Sequence, residues 1–305
     1  MLAGLFDYAG LFPPASQRLE AALASYAGYR SGADAWMLGR LVVPAAHLPD
    51  VSRHTTDLST DHDVQAWRLS AILGQDAAAD RTLVEAFNRR HATGRGDAAA
   101  IDTIELTART PDDLSTARGW VSRGFEVYCE VPVGDDLDAS LDAIARAGLH
   151  AKLRTGGSGP DSVPTPPVVA DFLCGCVARG VAAKATAGLH HAMTGHHAVS
   201  SRHGASPPPM LGFVNVVLAA GIANGAGRAA AGRAEVRAAV SHLLSAESAP
   251  AWVGDDHVAW HDAHGQVIEG SLDEVAASGR ALIRSIGTCS FEEPVAEARR
   301  IGLLS

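Results

Sequence analysis

The chain has 305 residues, 47% of them hydrophobic, and a formal charge of -9 from 25 Lys and Arg against 34 Asp and Glu. This excludes a disordered chain, because the apolar content is enough for a large core. It also argues against a nucleic-acid partner, because no cluster of basic residues could follow a phosphate backbone. No apolar run approaches the length of a membrane span. The opening MLAGLFDYAG lacks the basic residues and the sustained apolar stretch of a signal peptide, so the expectation is a cytoplasmic protein without a membrane partner.

Eight strand-like apolar runs recur along the chain, at 2–9, 37–44, 67–73, 101–107, 125–133, 149–154, 181–187 and 281–288. Several are apolar on both parities, as expected of a parallel sheet covered on both faces. Helix-like runs separate them. Thr110, Pro111 and Asp113 open one such run at capping-box spacing, and Gly124 closes it. Thr165 and Pro166 open another that ends at Gly180, the run DDLDASLDAIARAG ends at Gly148, and Ser271 with Glu274 marks a third start. Strand then helix, eight times over, predicts an α/β fold of the (β/α)8 TIM-barrel type, with residues 1–305 forming a single domain. An open doubly wound sheet is the rival architecture.

One interval breaks the rhythm. Residues 189–280 separate the seventh strand from the eighth and read as a long insertion on the catalytic rim, in the manner of a lid. It holds a histidine-rich stretch, an apolar helix-like run LGFVNVVLAAGIANG, and AWVGDDHVAWHDAHG, which reads as a hairpin turning at Gly254 and Asp255. The glycines of GAGRAAAGR follow no strand and precede no P-loop lysine, so they carry no nucleotide signature.

Two of the strands carry a lysine where a core residue belongs: Lys152 in HAKLRTGG and Lys184 in VAAKATAG. An ammonium inside a barrel is costly unless it is paired or gives up its proton. Desolvation and a neighbouring like charge both favour the neutral amine. A neutral lysine amine attacks carbonyl carbon to form a Schiff base. The plain alternative is a structural ion pair with Asp102 or Glu130. Glu130 ends the fifth strand, at the face where barrel active sites form. It is read as a second acid or base, or as a partner for Arg154. Asp7, near the end of the first strand, is read as a substrate-binding or structural carboxylate.

In this order the strands resemble those of the deoxyribose-phosphate aldolases, which are class I aldolases on a (β/α)8 barrel. LFDYAGLFPPA is similar to that family's opening iDhtlLkP, with Asp7 on its aspartate, and LVVPAAHL resembles its VcVnPsyv. IDTIE resembles vDvVi, which implies proton transfer by Asp102. KLRTG resembles KTSTG, which implies that Lys152 is the Schiff-base lysine. KATAG resembles KasGG, which implies that Lys184 tunes it, and SIGTCS resembles riGtSs, which implies that Gly287 and Ser290 help to hold substrate. The resemblance spans 1–188 and 281–305. It breaks at Ala187, where the family has glycine, at Arg154, where it has serine, and at His190 and His191, which follow the second lysine. These departures shift the expected substrate from a phosphate ester to a polar or anionic carbonyl compound, with Arg154, His190 and His191 as binding residues.

Two other classes compete. Imidazoles at 190, 191, 196, 197 and 203 could serve a metal-dependent barrel hydrolase or isomerase, although neighbouring histidines diverge and the first strand lacks an HxH pair. A binding barrel that keeps the fold without chemistry is the third. The four cysteines, Cys129, Cys174, Cys176 and Cys289, are read as reduced thiols, and Cys174 and Cys176 as core residues. Cys289 in GTCSF is a candidate nucleophile, but nothing nearby in sequence supplies its base, so packing or backbone binding is the favoured reading. The leading expectation is a Schiff-base lyase or aldolase for a small-molecule carbonyl substrate. It needs no metal and no cofactor, because the iminium is its own electron sink. A homo-oligomer stays open.

Overall fold

The structure is a computed structural model and describes residues 1–58, 66–92, 99–108, 111–134, 136–157, 162–197, 209–247, 251–252, 257–261 and 267–304. Eight parallel strands close into a barrel: β1 (Phe6–Tyr8), β2 (Leu38–Pro44), β3 (Trp67–Ile72), β4 (Ala99–Thr107), β5 (Glu126–Glu130), β6 (His150–Arg154), β7 (Ala183–Thr186) and, closing back onto β1, β11 (Ile283–Thr288). All eight expected strands are present. The first is shorter than 2–9 because the chain turns before it, with Leu5 N–H donating to the Leu2 carbonyl at 3.1 Å.

The strands sort their residues by face. In β5, Val127 and Cys129 point outward into the apolar layer beneath the helices, while Glu126, Tyr128 and Glu130 meet charged partners inside the barrel. Phe6 and Tyr8 likewise point outward from β1, against Phe213 and Tyr29, and Asp7 points inward. The hydrophobic core therefore lies between the sheet and the helices, and the barrel interior is polar.

Helices α1 (Leu19–Arg30), α2 (Leu48–Leu58), α3 (Ala77–His91), α4 (Pro111–Val121), α5 (Leu137–Ala147) and α6 (Pro166–Arg179) follow the first six strands. The glycine stops are real: Gly148 and Gly180 sit at φ 69° and 65°, the left-handed conformation that ends α5 and α6. Thr165 precedes α6 without a side-chain cap bond. Thr110 lies outside the described residues.

The segment expected on the rim divides between layers. Helix α7 (Phe213–Ala226) starts at the C-terminal end of the barrel, where Phe213 N–H donates to the His191 carbonyl. It descends with Phe213 edge-on to Phe6 of β1 at 5.1 Å and is buried almost all round. That is why its sequence has no polar face. Helix α8 (Ala234–Ser245) packs on α6 and α7. Strands β8 (Ala251–Trp252), β9 (His257–His261) and β10 (Val267–Ser271) form an antiparallel sheet that contains the expected hairpin, whose turn residues lie outside the described set. Helix α9 (Leu272–Leu282) is capped by Ser271 Oγ, which accepts from Glu274 N–H at 3.4 Å, and it leads directly into β11. Helix α10 (Glu292–Arg300) completes the ring.

α7 and α9 touch backbone to backbone. A methyl group at Gly279 would fall 2.0 Å from the Val217 carbonyl oxygen, and one at Gly221 would fall 2.2 Å from that of Val275. Gly279→Ala must therefore push the helices apart, at a cost of about 1–3 kcal/mol for overpacking. The expected result is a lower urea midpoint for the single cooperative unfolding transition. An unchanged midpoint would show that this segment is separable from the barrel.

Candidate active site

Lys152 and Lys184 are direct neighbours across the β6–β7 ladder. Both are buried, Lys184 completely. One carboxylate joins them: Glu105 on β4 lies with Oε2 3.1 Å from the Lys152 ammonium and Oε1 2.7 Å from that of Lys184. Ser70 on β3 donates to Glu105 Oε1 at 2.7 Å. Asp7 completes the inner pair, with Oδ2 2.5 Å from Lys184 Nζ and Oδ1 accepting from the Arg40 backbone N–H at 2.7 Å. Gly39 makes room for this, since a side chain there would collide with Asp7 Oδ1. Toward the C-terminal end of the barrel, Glu130 lies 3.1 Å from Lys152 and 3.3 Å from Arg154, which is half exposed.

Three cations and three carboxylates thus balance along one column, from Asp7 and Lys184 through Glu105 and Lys152 to Glu130 and Arg154. At Lys184, Glu105 and Glu130 burial opposes the charge, and the opposite charges win. For Lys184, desolvation works against the ammonium, but Asp7 and Glu105 outweigh it and raise its pKa above the ordinary lysine value. For Glu105, burial works against ionisation, yet the two lysines hold its pKa well below the carboxylate range. Glu130 is lowered in the same way, by Lys152 and Arg154 against its own desolvation. Lys184 is therefore a fixed cation.

Asp102 is not part of this column, which corrects the expectation that it moves protons for the lysines. It accepts from Arg40 Nε at 2.5 Å and from Arg68 Nη2 at 2.7 Å. Glu126 joins the same group, accepting from Arg40 at 3.1 Å, Arg284 at 2.7 Å and the Tyr128 hydroxyl at 2.8 Å. These ions close the N-terminal end of the barrel, the end that serves stability in this fold. The β3–β4 register shifts between Leu69–Ile101 and Ser70–Thr103, so Asp102 has no partner in the ladder. Past the shift, Glu105 takes the inward position. The sequence signal for Glu105 was an acid flanked by Ile104 and Leu106, the same anomaly that drew attention to the lysines.

The rim residues fall into separate places. Gly287 is inside, where a side chain would meet Thr186 Oγ1 at 2.8 Å and approach Lys184 Cε. Ala187 adopts φ 68° and Gly188 φ 76°, so this chain holds alanine in a backbone conformation that suits glycine. Ser290 lies at the start of α10, where its Oγ accepts from Glu293 N–H at 3.3 Å. His190 turns toward Thr288, Cys289 and Glu293. His191 turns away and stacks on His197 with centroids 3.4 Å apart. A hollow of about 490 Å³ lies beside that stack, lined by residues including His196, His197, Glu247 and Arg300, and is not lined by the lysine column. Among the described residues, no three His, Cys, Asp or Glu converge as metal ligands, and His203 lies outside them. No helix among these residues is long and apolar enough to cross a membrane.

The geometry defines a (β/α)8 barrel with a buried, doubly paired lysine couple in its interior. Comparison with protein-family models, with curated proteins and with solved structures found no match.

Glu105→Gln leaves two buried ammonium groups sharing a neutral amide. Removing one partner of a buried ion group costs about 3–5 kcal/mol. The pH dependence has a definite sign. Glu105 has a depressed folded pKa, so its contribution is present above the unfolded value, near about 4.3. It is lost as pH falls through the depressed folded value. The raised pKa of Lys184 acts at the other end: its contribution is present below the unfolded value and lost as pH rises through the folded one. Urea unfolding between neutral and acid pH should show wild-type stability falling below about pH 4. Glu105→Gln should be weaker throughout and flatter in that window. Equal acid slopes in the two proteins would contradict the pairing.

Proposed function

We propose that the protein is a Schiff-base-forming lyase or aldolase acting on a small polar or anionic carbonyl compound. The observation that carries this reading is the pairing of two lysines, adjacent in register and joined by one carboxylate, inside a barrel whose C-terminal end is the customary place for chemistry. A purely structural ion pair needs one lysine, whereas a fixed cation beside a second amine serves nucleophilic catalysis.

In this reading Lys152 is the nucleophile. It is less completely buried than Lys184 and contacts the partly exposed Glu130. Lys152 loses a proton to Glu130, and its amine attacks the substrate carbonyl carbon. The carbinolamine expels water with a proton returned from Glu130, leaving an iminium. Glu130 then takes the proton of the β-hydroxyl as the bond between the α and β carbons breaks; the first carbonyl product leaves, and the bond's electron pair moves into the iminium to give an enamine. Protonation and hydrolysis then release the second product and restore the amine. Lys184, fixed between Asp7 and Glu105, keeps positive charge beside the reacting nitrogen. Arg154 at the mouth holds an anionic or polar substituent. No cofactor enters these steps. The shared order of motifs with the deoxyribose-phosphate aldolases supports the same chemistry, and the departures at Arg154 and Ala187 support a different substrate.

The test is borohydride reduction in the presence of a panel of small aldehydes and ketones, read by intact and peptide mass. The expected result is a covalent adduct on Lys152 that is lost in Lys152→Met and weakened in Lys184→Leu, with folding of each variant checked by circular dichroism. An adduct on Lys184 alone would exchange the two roles. Folded protein that forms no adduct with any carbonyl would end the proposal.

A further inference from the structure

Cys289, at the end of β11, is the cysteine with partial exposure; Cys129, Cys174 and Cys176 are buried. Its sulfur lies 3.6 Å from Nε2 of His190, on the loop after β7. The other ring nitrogen, Nδ1, lies 2.9 Å from Glu293 Oε2 on the first turn of α10 and 3.3 Å from Thr288 Oγ1. The Thr288 hydroxyl donates its own proton to the Ser290 carbonyl at 2.8 Å, so toward the imidazole it presents a lone pair. Nδ1 therefore faces two acceptors and carries the ring proton. That leaves the Nε2 lone pair directed at the thiol.

We propose that Cys289, His190 and Glu293 form a second nucleophilic site, in which the thiol takes an acyl group from an activated ester or thioester. The arrangement has the three parts such chemistry needs: a nucleophile, a base within reach of it, and a carboxylate that fixes the base's tautomer. The site does not depend on the lysine chemistry. His190 Nε2 accepts the thiol proton as the sulfur–carbon bond forms. The bond from the acyl carbon to the leaving oxygen or sulfur then breaks, and the leaving group departs with that proton. Water hydrolyses the resulting thioester to a carboxylic acid and restores the thiol, so no oxidant or reductant is consumed. Helix α10 begins three residues after Cys289, and its N-terminal end favours negative charge developing nearby. Burial raises the pKa of Cys289 and lowers that of His190 against the pull of Glu293, in keeping with a resting thiol and neutral imidazole. The ionisable groups facing the pair are Glu293, the neighbouring His191 and, from β1, Tyr8.

The experiment uses the full chain and p-nitrophenyl acetate, following p-nitrophenolate release and acid-quenched peptide mass. Wild type should show a burst with acetyl on Cys289, and Cys289→Ser should show neither. His190→Gln should slow acetylation about a hundredfold, the usual size of a general-base contribution. Glu293 is exposed enough to replace without disturbing the core. Glu293→Gln removes a carboxylate that favours the protonated ring, so the acid limb of the pH–rate profile should move to lower pH. Acetylation of Cys289 at the wild-type rate in His190→Gln would overturn the proposal. So would an unmoved pH profile in Glu293→Gln, or folded wild type without acetyl-Cys289.

Discussion

Charge neutrality inside the barrel is the constraint on which the rest of this structure depends. Lys184 is fully buried, and an ammonium taken out of water costs several kcal/mol even after the protein relaxes. It is tolerated because Asp7 and Glu105 reach it from β1 and β4 at once. Those two contacts in turn dictate the neighbourhood. Gly39 must lack a side chain to admit Asp7, Ser70 must supply a hydroxyl to Glu105, and the second oxygen of Glu105 is left for Lys152.

The cost of a polar interior is offset elsewhere. The outward faces of the same strands, Phe6, Leu41, Val43, Val127, Ala151, Leu153 and Ala185 among them, are buried under the helices and supply the apolar burial that stabilises the domain. The two ends of the barrel then divide the work. Asp102, Glu126 and three arginines close the N-terminal end with salt bridges that reach across the barrel. The C-terminal end carries Lys152, Glu130 and Arg154, with Arg154 half exposed.

The rim is built from loops that the barrel brings together. The loops after β7 and β11 meet because these strands are neighbours in the sheet, although the chain between them is long. His190 and Cys289 are 99 residues apart in sequence and in contact in space. The buried Asn215 holds the same region in place, accepting from Thr194 N–H and donating to the Leu243 and Ala246 carbonyls. A segment that reads as an appendage is thereby tied into both the helical layer and the rim.

Local information was enough for the eight strands, for the glycine stops at Gly148 and Gly180, and for the oddity of two lysines in apolar runs. Each of these is set by patterns within a few residues: alternation, left-handed caps and the rarity of a charge in a core strand. Parity along a regular strand also placed Lys152 and Lys184 side by side once β6 and β7 were known to be adjacent. What the sequence could not disclose was which acid meets them. Strict alternation from Asp102 would turn Ile104 and Leu106 inward, and only the register shift between β3 and β4 exchanges Asp102 for Glu105. The same limit hid the contact between His190 and Cys289 and the burial of α7. These depend on which strands and helices become neighbours when the sheet closes, and closure is a property of the whole chain rather than of any window within it.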